Sequence, residues 1–149
     1  MAKIEVRVEA VIYSPAQEIL LVKHRKHGQS YWVLPGGHLE QEETLSECIE
    51  RELLEELYIE NPRAKELVFV DEFIDRENPR HVVKIGFLVE IIPGKENKIN
   101  VRASEEAVVD ARFYSIDNIK NSKEEFYPSS EFFLELLEFK YREQSMDDN

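Results

Sequence analysis

Glu52, Glu55 and Glu56 sit in a stretch whose apolar residues Ile49, Leu53 and Leu57 recur at helical spacing. At ~100° per residue, the three carboxylates fall within an arc of about 100° beside that apolar stripe, at the edge of whatever core the helix covers. Carboxylates so placed suit a hard divalent cation such as Mg²⁺, which takes oxygen ligands and is commonly held by one or two carboxylates together with substrate phosphates. The competing reading is a solvated acidic face. Like charges at i,i+3 and i,i+4 each cost about 0.2–0.5 kcal/mol, and Arg51 is the sole cation between residues 40 and 60, so a further positive partner is expected. A nitrogen- or sulfur-ligated metal is disfavoured. His24, His27, His38 and His81 show no paired ligand spacing beyond one three-residue gap, and Cys48 is the only cysteine.

The elements that must position these carboxylates are legible around them. Ile4, Val6, Val8, Ala10 and Ile12 alternate with Lys3, Glu5, Arg7 and Glu9, which predicts a strand burying one face. Ser14 to Gln17 turns the chain into the apolar run Ile19–Val22, and the two strands are expected to pair as a hairpin. After the basic run Lys23 to Lys26 comes Tyr31-Trp32-Val33-Leu34 and then Pro35-Gly36-Gly37, which predicts a loop. Thr44 with Glu47 three residues on forms a capping box, and Asn61-Pro62 stops the helix it opens. Strands are predicted over 67–74, 82–92 and 108–114, and the stripe of Phe132, Phe133, Leu136 and Leu137 predicts a helix over 129–142 that packs on a sheet. Strands before, between and after two helices imply a mixed-sheet α/β or α+β domain with helices on its faces.

Composition bounds the function. At 149 residues one domain spanning 1–149 is expected. The net charge of −12 disfavours nucleic-acid polymers and anionic membranes as partners, and 42% hydrophobic content excludes a disordered acidic chain. A lone cysteine fits a reducing compartment, and no long apolar run or charged-then-apolar leader appears, so a cytoplasmic protein is expected. Nine Glu between residues 40 and 60 against Arg51 place −8 of the charge in that segment, which leaves −4 for the other 128 residues.

The segment from Gly37 to Ile59 resembles the Nudix box, G-x5-E-x7-R-E-U-x-E-E-x-G-U with U apolar. Gly37, Glu43, Arg51, Glu52, Leu53, Glu55, Glu56 and Ile59 fall in register, eight of nine constrained positions, preceded by a W-x-L-P-G-G lead-in from Trp32 to Gly37. The resemblance implies the Nudix α/β/α sandwich, a mixed sheet flanked by helices. Tyr58 stands where the family has Gly. A Tyr does not readily take the left-handed conformation that such a glycine supplies, so the helix is expected to run on or to end in another turn.

By the same resemblance Glu52, Glu55 and Glu56 are ligands of Mg²⁺ or Mn²⁺, joined by the Gly36 carbonyl, and Glu43 holds Arg51 in a pair that orients the helix, with Arg51 counted in the catalytic group. The implied reaction is hydrolysis of a phosphoanhydride in a nucleoside diphosphate linked to another moiety, by metal-activated water. Glu55, Glu56 or a further Glu from Ser104-Glu105-Glu106, with Glu106 favoured, serves as base. Substrate contacts are assigned to Trp32 by stacking, to Gly37, to Arg25 in the basic run and to His81; for Trp32 a core position is the equal alternative. Chain length favours a nucleoside triphosphate pyrophosphohydrolase, ahead of ADP-ribose or dinucleoside polyphosphate hydrolysis and of a non-catalytic nucleotide sensor. A monomer or homodimer is expected.

Overall fold

A computed structural model describes residues 3–95, 99 and 108–147, with side chains described as far as Lys140. Contacts divide the chain into two units that alternate along it, residues 1–12 with 34–102 and residues 13–33 with 103–149. The described residues form a mixed α+β fold, with two sheets and three helices.

The first unit is built on strand β1 (Ile4–Val11), which lies between β4 (Gly36–His38) and β6 (Arg80–Glu90); β5 (Arg63–Asp75) completes a sheet of order β4-β1-β6-β5. β1 and β6 are parallel, while the β1–β4 and β5–β6 pairs are antiparallel, so this sheet is mixed as expected. Helix α1 (Leu45–Leu57) packs on β4, β1 and β5. It starts as the sequence predicts, with Thr44 accepting from the Glu47 amide at 3.1 Å and the Glu47 carboxylate accepting from the Thr44 amide at 3.0 Å. Ile49, Leu53 and Leu57 are buried, at about 1.5–3 kcal/mol each, which outweighs the repulsion among the helix's carboxylates several-fold.

The second unit is an antiparallel sheet of order β3-β2-β7, formed by β2 (Ile19–Lys26), β3 (Gln29–Val33) and β7 (Val108–Tyr114), with helices α2 (Ile116–Asn121) and α3 (Ser130–Asp147). Ile19 to Val22 are buried, as an unbroken apolar run should be. On α3, Phe133, Leu136 and Leu137 are buried while Phe132 is half-buried. Helix α2 is absent from the sequence expectations, although Ser115 and Asn118 form a capping box at its start.

Two expectations about the strands are corrected. The β1–β2 hairpin does not form, because both edges of β1 are taken by β4 and β6; the intervening turn is closed by the Tyr13–Ile19 bridge and by backbone bonds from the Ser14 amide to Glu18 and from the Gln17 amide to Ser14. Pro35-Gly36-Gly37 is not wholly a loop, since Gly36 and Gly37 enter β4 and pair with Glu9 and Val8. Close packing explains the glycine at 36: a Cβ there would collide with the Val8 carbonyl oxygen and the Glu9 Cα.

Tyr58 also departs from expectation. It adopts the left-handed conformation (φ 57°, ψ 27°) and ends α1 where a glycine would, its amide donating to the Leu53 and Leu54 carbonyls. The Ile59 amide reaches the Leu53 carbonyl at 3.2 Å, and Ile59 is buried, so burial of the next residue holds the turn despite the strain. A non-glycine residue pays about 1–2 kcal/mol in this conformation, and the Tyr58 side chain is half exposed. Tyr58→Gly is therefore expected to stabilise the protein by about 1 kcal/mol, raising Tm by about 2–4 °C in a thermal melt. A lowered Tm would mean that packing of the phenol ring outweighs the backbone strain.

Candidate active site

Arg51, on the exposed flank of α1, gathers the acidic segment around one guanidinium. Its Nε donates to Glu43 Oε2 at 2.7 Å and its Nη2 to Glu43 Oε1 at 3.1 Å, a bidentate pair. Nη1 donates to Glu52 Oε1 at 2.7 Å and reaches Glu55 Oε2 at 3.5 Å, while Glu40 Oε1 stands 3.7 Å away. Nη2 also donates to the His38 carbonyl at 3.1 Å, which ties α1 to the end of β4. The Glu43–Arg51 pair implied by the sequence is thus present in full.

This network sets the local charge states. Hydrogen bonding from Arg51, helped by the Glu40 amide, holds the Glu43 carboxyl down at about 2. Arg51 in turn is held firmly in its charged form, first by its hydrogen bonds to Glu43. Cys48 is fully buried, and burial together with the Glu43 charge pushes its thiol up to about 12. A thiol so placed is no nucleophile.

Gly37 stands against Glu52: a Cβ at position 37 would collide with all three atoms of the Glu52 carboxyl group. The glycine therefore lets this carboxylate lie on β4. Glu56 is part-buried, with its Oε2 shielded from solvent. Gly37, Arg51, Glu43, Glu52 and Glu55 are thus brought together. Among the described residues, however, no set of three or more His, Cys, Asp or Glu side chains is close enough to hold a metal ion. The expected convergence of Glu52, Glu55 and Glu56 is not formed by the chain alone, because the Arg51 fork supplies the countercharge and draws Glu52 and Glu55 to itself. The donor set, three carboxylates and a backbone carbonyl beside Gly37, nonetheless has the all-oxygen chemistry that suits Mg²⁺ or Mn²⁺.

The residues expected to bind substrate divide between the units. Trp32 is corrected to a core residue: it is 0% exposed, its Nε1 donates to Glu124 Oε2 at 2.7 Å, and its ring packs edge-on to Tyr114 with centroids 5.1 Å apart. No face of such a ring is presented to a base. Arg25 is exposed near the end of β2, opposite Ser30. In the other unit, His81 near the start of β6 meets Glu72 Oε2 at 3.0 Å, and Gly37 faces Glu52 as described. Glu106 lies outside the described residues.

Two carboxylates escape the sequence reading. Glu124 collects Lys23 Nζ (2.9 Å), Trp32 Nε1 and Tyr114 Oη (3.2 Å), and these bonds, that of Lys23 foremost, keep its carboxyl below the usual range. Nothing local in the sequence marks it. Glu9 is buried to 7% exposure, and burial pushes its carboxyl above the usual range although Arg7 and Lys84 oppose the shift. Its signal is topological: the alternation that puts Glu9 on a solvent face assumes a one-sided strand, whereas β1 is central in its sheet.

The NUDIX domain profile matches residues 3–136. An ADP-ribose pyrophosphatase of Methanocaldococcus jannaschii is 32% identical over 103 residues, 68% of this chain and 57% of that protein. An ADPR-responsive transcriptional repressor of Acinetobacter baylyi is 38% identical over 69 residues, 42% of this chain and 28% of that protein. The matched part thus spans little more than half of the one relative and under a third of the other. A MutT NUDIX hydrolase from Burkholderia pseudomallei shares the fold at a TM-score of 0.72 and 26% identity, covering 89% of this chain and 97% of that one.

The Glu43–Arg51 pair gives a pH signature. A carboxyl whose value falls from 4.5 to about 2 on folding contributes stability that is present above pH 4.5 and lost as pH drops toward 2. Glu43→Gln is expected to cost about 2 kcal/mol above pH 4.5 in urea unfolding, with the gap to wild type closing as pH falls toward 2. A gap independent of pH would assign the loss to packing instead.

Proposed function

The chain belongs to the Nudix family, and from that premise we propose that residues 1–149 act as a single domain hydrolysing the diphosphate bond of a nucleoside diphosphate linked to another moiety, with ADP-ribose the foremost substrate. The observation that carries the reading is the Arg51-centred network, which holds the box carboxylates Glu43, Glu52 and Glu55 around one helix flank against β4. ADP-ribose is put ahead of nucleoside triphosphates, the order expected from chain length being reversed, because the names of both curated relatives carry ADP-ribose.

Glu52, Glu55 and Glu56, with the Gly36 carbonyl, would hold Mg²⁺ or Mn²⁺. Such a cation, when bound, neutralises charge on the diphosphate and makes a water more acidic. The residues of the chain supply the rest. Arg51 fixes α1 to β4 through Glu43 and the His38 carbonyl, and so sets where the carboxylates project. Glu55 or Glu56 accepts the proton of the water whose oxygen attacks phosphorus; the bridging P–O bond breaks, and the departing phosphate carries the electron pair. Glu106 remains a candidate for the same proton. Cys48, buried and protonated, takes no part.

A second reading, a nucleotide-responsive regulator, draws on the repressor's similarity. The complete carboxylate set of the box argues for turnover instead.

Incubation with ADP-ribose, nucleoside triphosphates and dinucleoside polyphosphates is expected to release a nucleoside monophosphate only with Mg²⁺ or Mn²⁺ present, and chelator should abolish it. Glu55→Gln and Glu56→Gln should lower kcat by at least about 100-fold with the melting profile retained. An unaltered rate in both variants, or no turnover across the panel, would sink the proposed activity.

A further inference from the structure

Strand β5 ends the sheet order β4-β1-β6-β5, so it has β6 on one side and, among the described residues, no strand on the other. Four of its large apolar residues are exposed: Leu67 (56%), Val70 (61%), Phe73 (38%) and Ile74 (47%). Among the other described strands, β1 and β7 each expose one, Ile4 and Val109. A free edge presents a row of backbone donors and acceptors, and apolar side chains gathered along it mark an interaction surface.

The same edge is selective. Asp71, Glu72 and Asp75 place three carboxylates in its second half, and its register with β6 shifts twice between Ala64 and Phe69. Charge and irregularity of this kind guard an edge against arbitrary strands. Two of the carboxylates are occupied locally, Asp71 by the Glu72 amide at 2.8 Å and Glu72 by His81 at 3.0 Å. The cations of the strand, Arg63 and Lys65, lie in its first half. A strand that is basic at its start, apolar in its middle and acidic at its end is complementary to itself when run antiparallel.

We propose that β5 is the interface of a symmetric homodimer, in which it pairs antiparallel with β5 of a second copy about a two-fold axis at Val70. A two-fold axis makes the interface self-complementary, each residue meeting the one equally far along on the other side. Counted by partners on β6, Arg63 faces Glu90 and Asp75 faces Arg80, each five positions from Ile85, which Val70 faces. Arg63 of one copy is thereby set opposite Asp75 of the other, on the same face of the joined sheet, and the pair forms twice. By the same count Val70 meets Val70 of the second copy, and Ile74, four positions from the axis, meets Ala64, so the two most solvent-exposed residues of the second half gain apolar neighbours. An axis moved one or two positions toward the end of the strand would instead set Asp71 or Glu72 against itself, which like charges oppose. The proposal stands independently of the activity.

Sedimentation equilibrium of the full chain tests this. Wild type is expected to form a closed dimer with a Kd below about 20 µM. Val70→Lys, which sets two ammonium groups together on the axis, and Arg63→Glu, which turns each Arg63–Asp75 pair into a like-charge pair, should each raise Kd at least about tenfold. Both side chains are exposed, so the melting profiles should stay close to that of wild type. If neither variant folds, Val70→Cys, close in size to the native residue, should be joined to a second copy by a short bis-maleimide, and absence of the joined species then overturns the proposal. A wild-type Kd above about 20 µM, a mass that keeps rising beyond two copies, or a smaller rise in Kd than about tenfold in a folded variant overturns it equally.

Discussion

One guanidinium holds together a segment that would otherwise repel itself. Between residues 40 and 60 nine glutamates face a single cation, Arg51. Its planar fork resolves the problem by geometry as well as by charge: two nitrogens take both oxygens of Glu43, and a third serves Glu52 and Glu55. A lysine, a point charge on a flexible stem, could neutralise one of these carboxylates but could not hold them at fixed angles. The bond to the His38 carbonyl then carries that order from the helix to the strand. The low value of Glu43 follows from this charge, whereas the raised thiol of Cys48 follows first from its burial and then from the Glu43 charge, against the pull of Arg51.

The backbone beneath is constrained from the opposite direction, by lack of room. Consecutive glycines at 36 and 37 satisfy two unrelated steric demands, one from the Val8 and Glu9 backbone and one from the Glu52 carboxyl. Either residue replaced by alanine would force β4 away from β1 or Glu52 away from β4, and either shift would move the helix that Arg51 anchors. At the far end of α1, Tyr58 tolerates a conformation that glycine would adopt freely. Close packing against backbone admits no side chain at 36, and at 37 one fits only if the Glu52 carboxyl moves, whereas at 58 the side chain is half exposed and the dihedral strain must be met.

The same contrast separates what the sequence makes legible from what it does not. Helix α1, its capping box, its buried stripe and the Glu43–Arg51 pair depend on residues within twenty positions of one another, and periodicity and spacing reveal them. Strand partners depend on residues far apart. The alternation of Ile4 to Ile12 identifies β1 but not that β4 and β6 flank it, so the hairpin with β2 is wrongly expected and Glu9 is read as a solvent-facing residue. Trp32 shows the same limit, for its burial depends on Glu124 and Tyr114, some ninety positions away. Tyr58 fails for another reason: residue type indicates a preference against the left-handed turn, but the burial of Ile59 that overrides it is tertiary.

Charge in the first unit is concentrated along one flank of α1. The positive charge of Arg51 is committed to Glu43, Glu52 and Glu55, so it is not free to attract a diphosphate. Left to itself, this side of the unit repels anions such as a diphosphate, and a divalent cation held there would reverse the sign only locally. The net charge of −12 is therefore no uniform surface property: −8 of it lies between residues 40 and 60, where Arg51 alone stands against nine carboxylates and a bound cation would offset more.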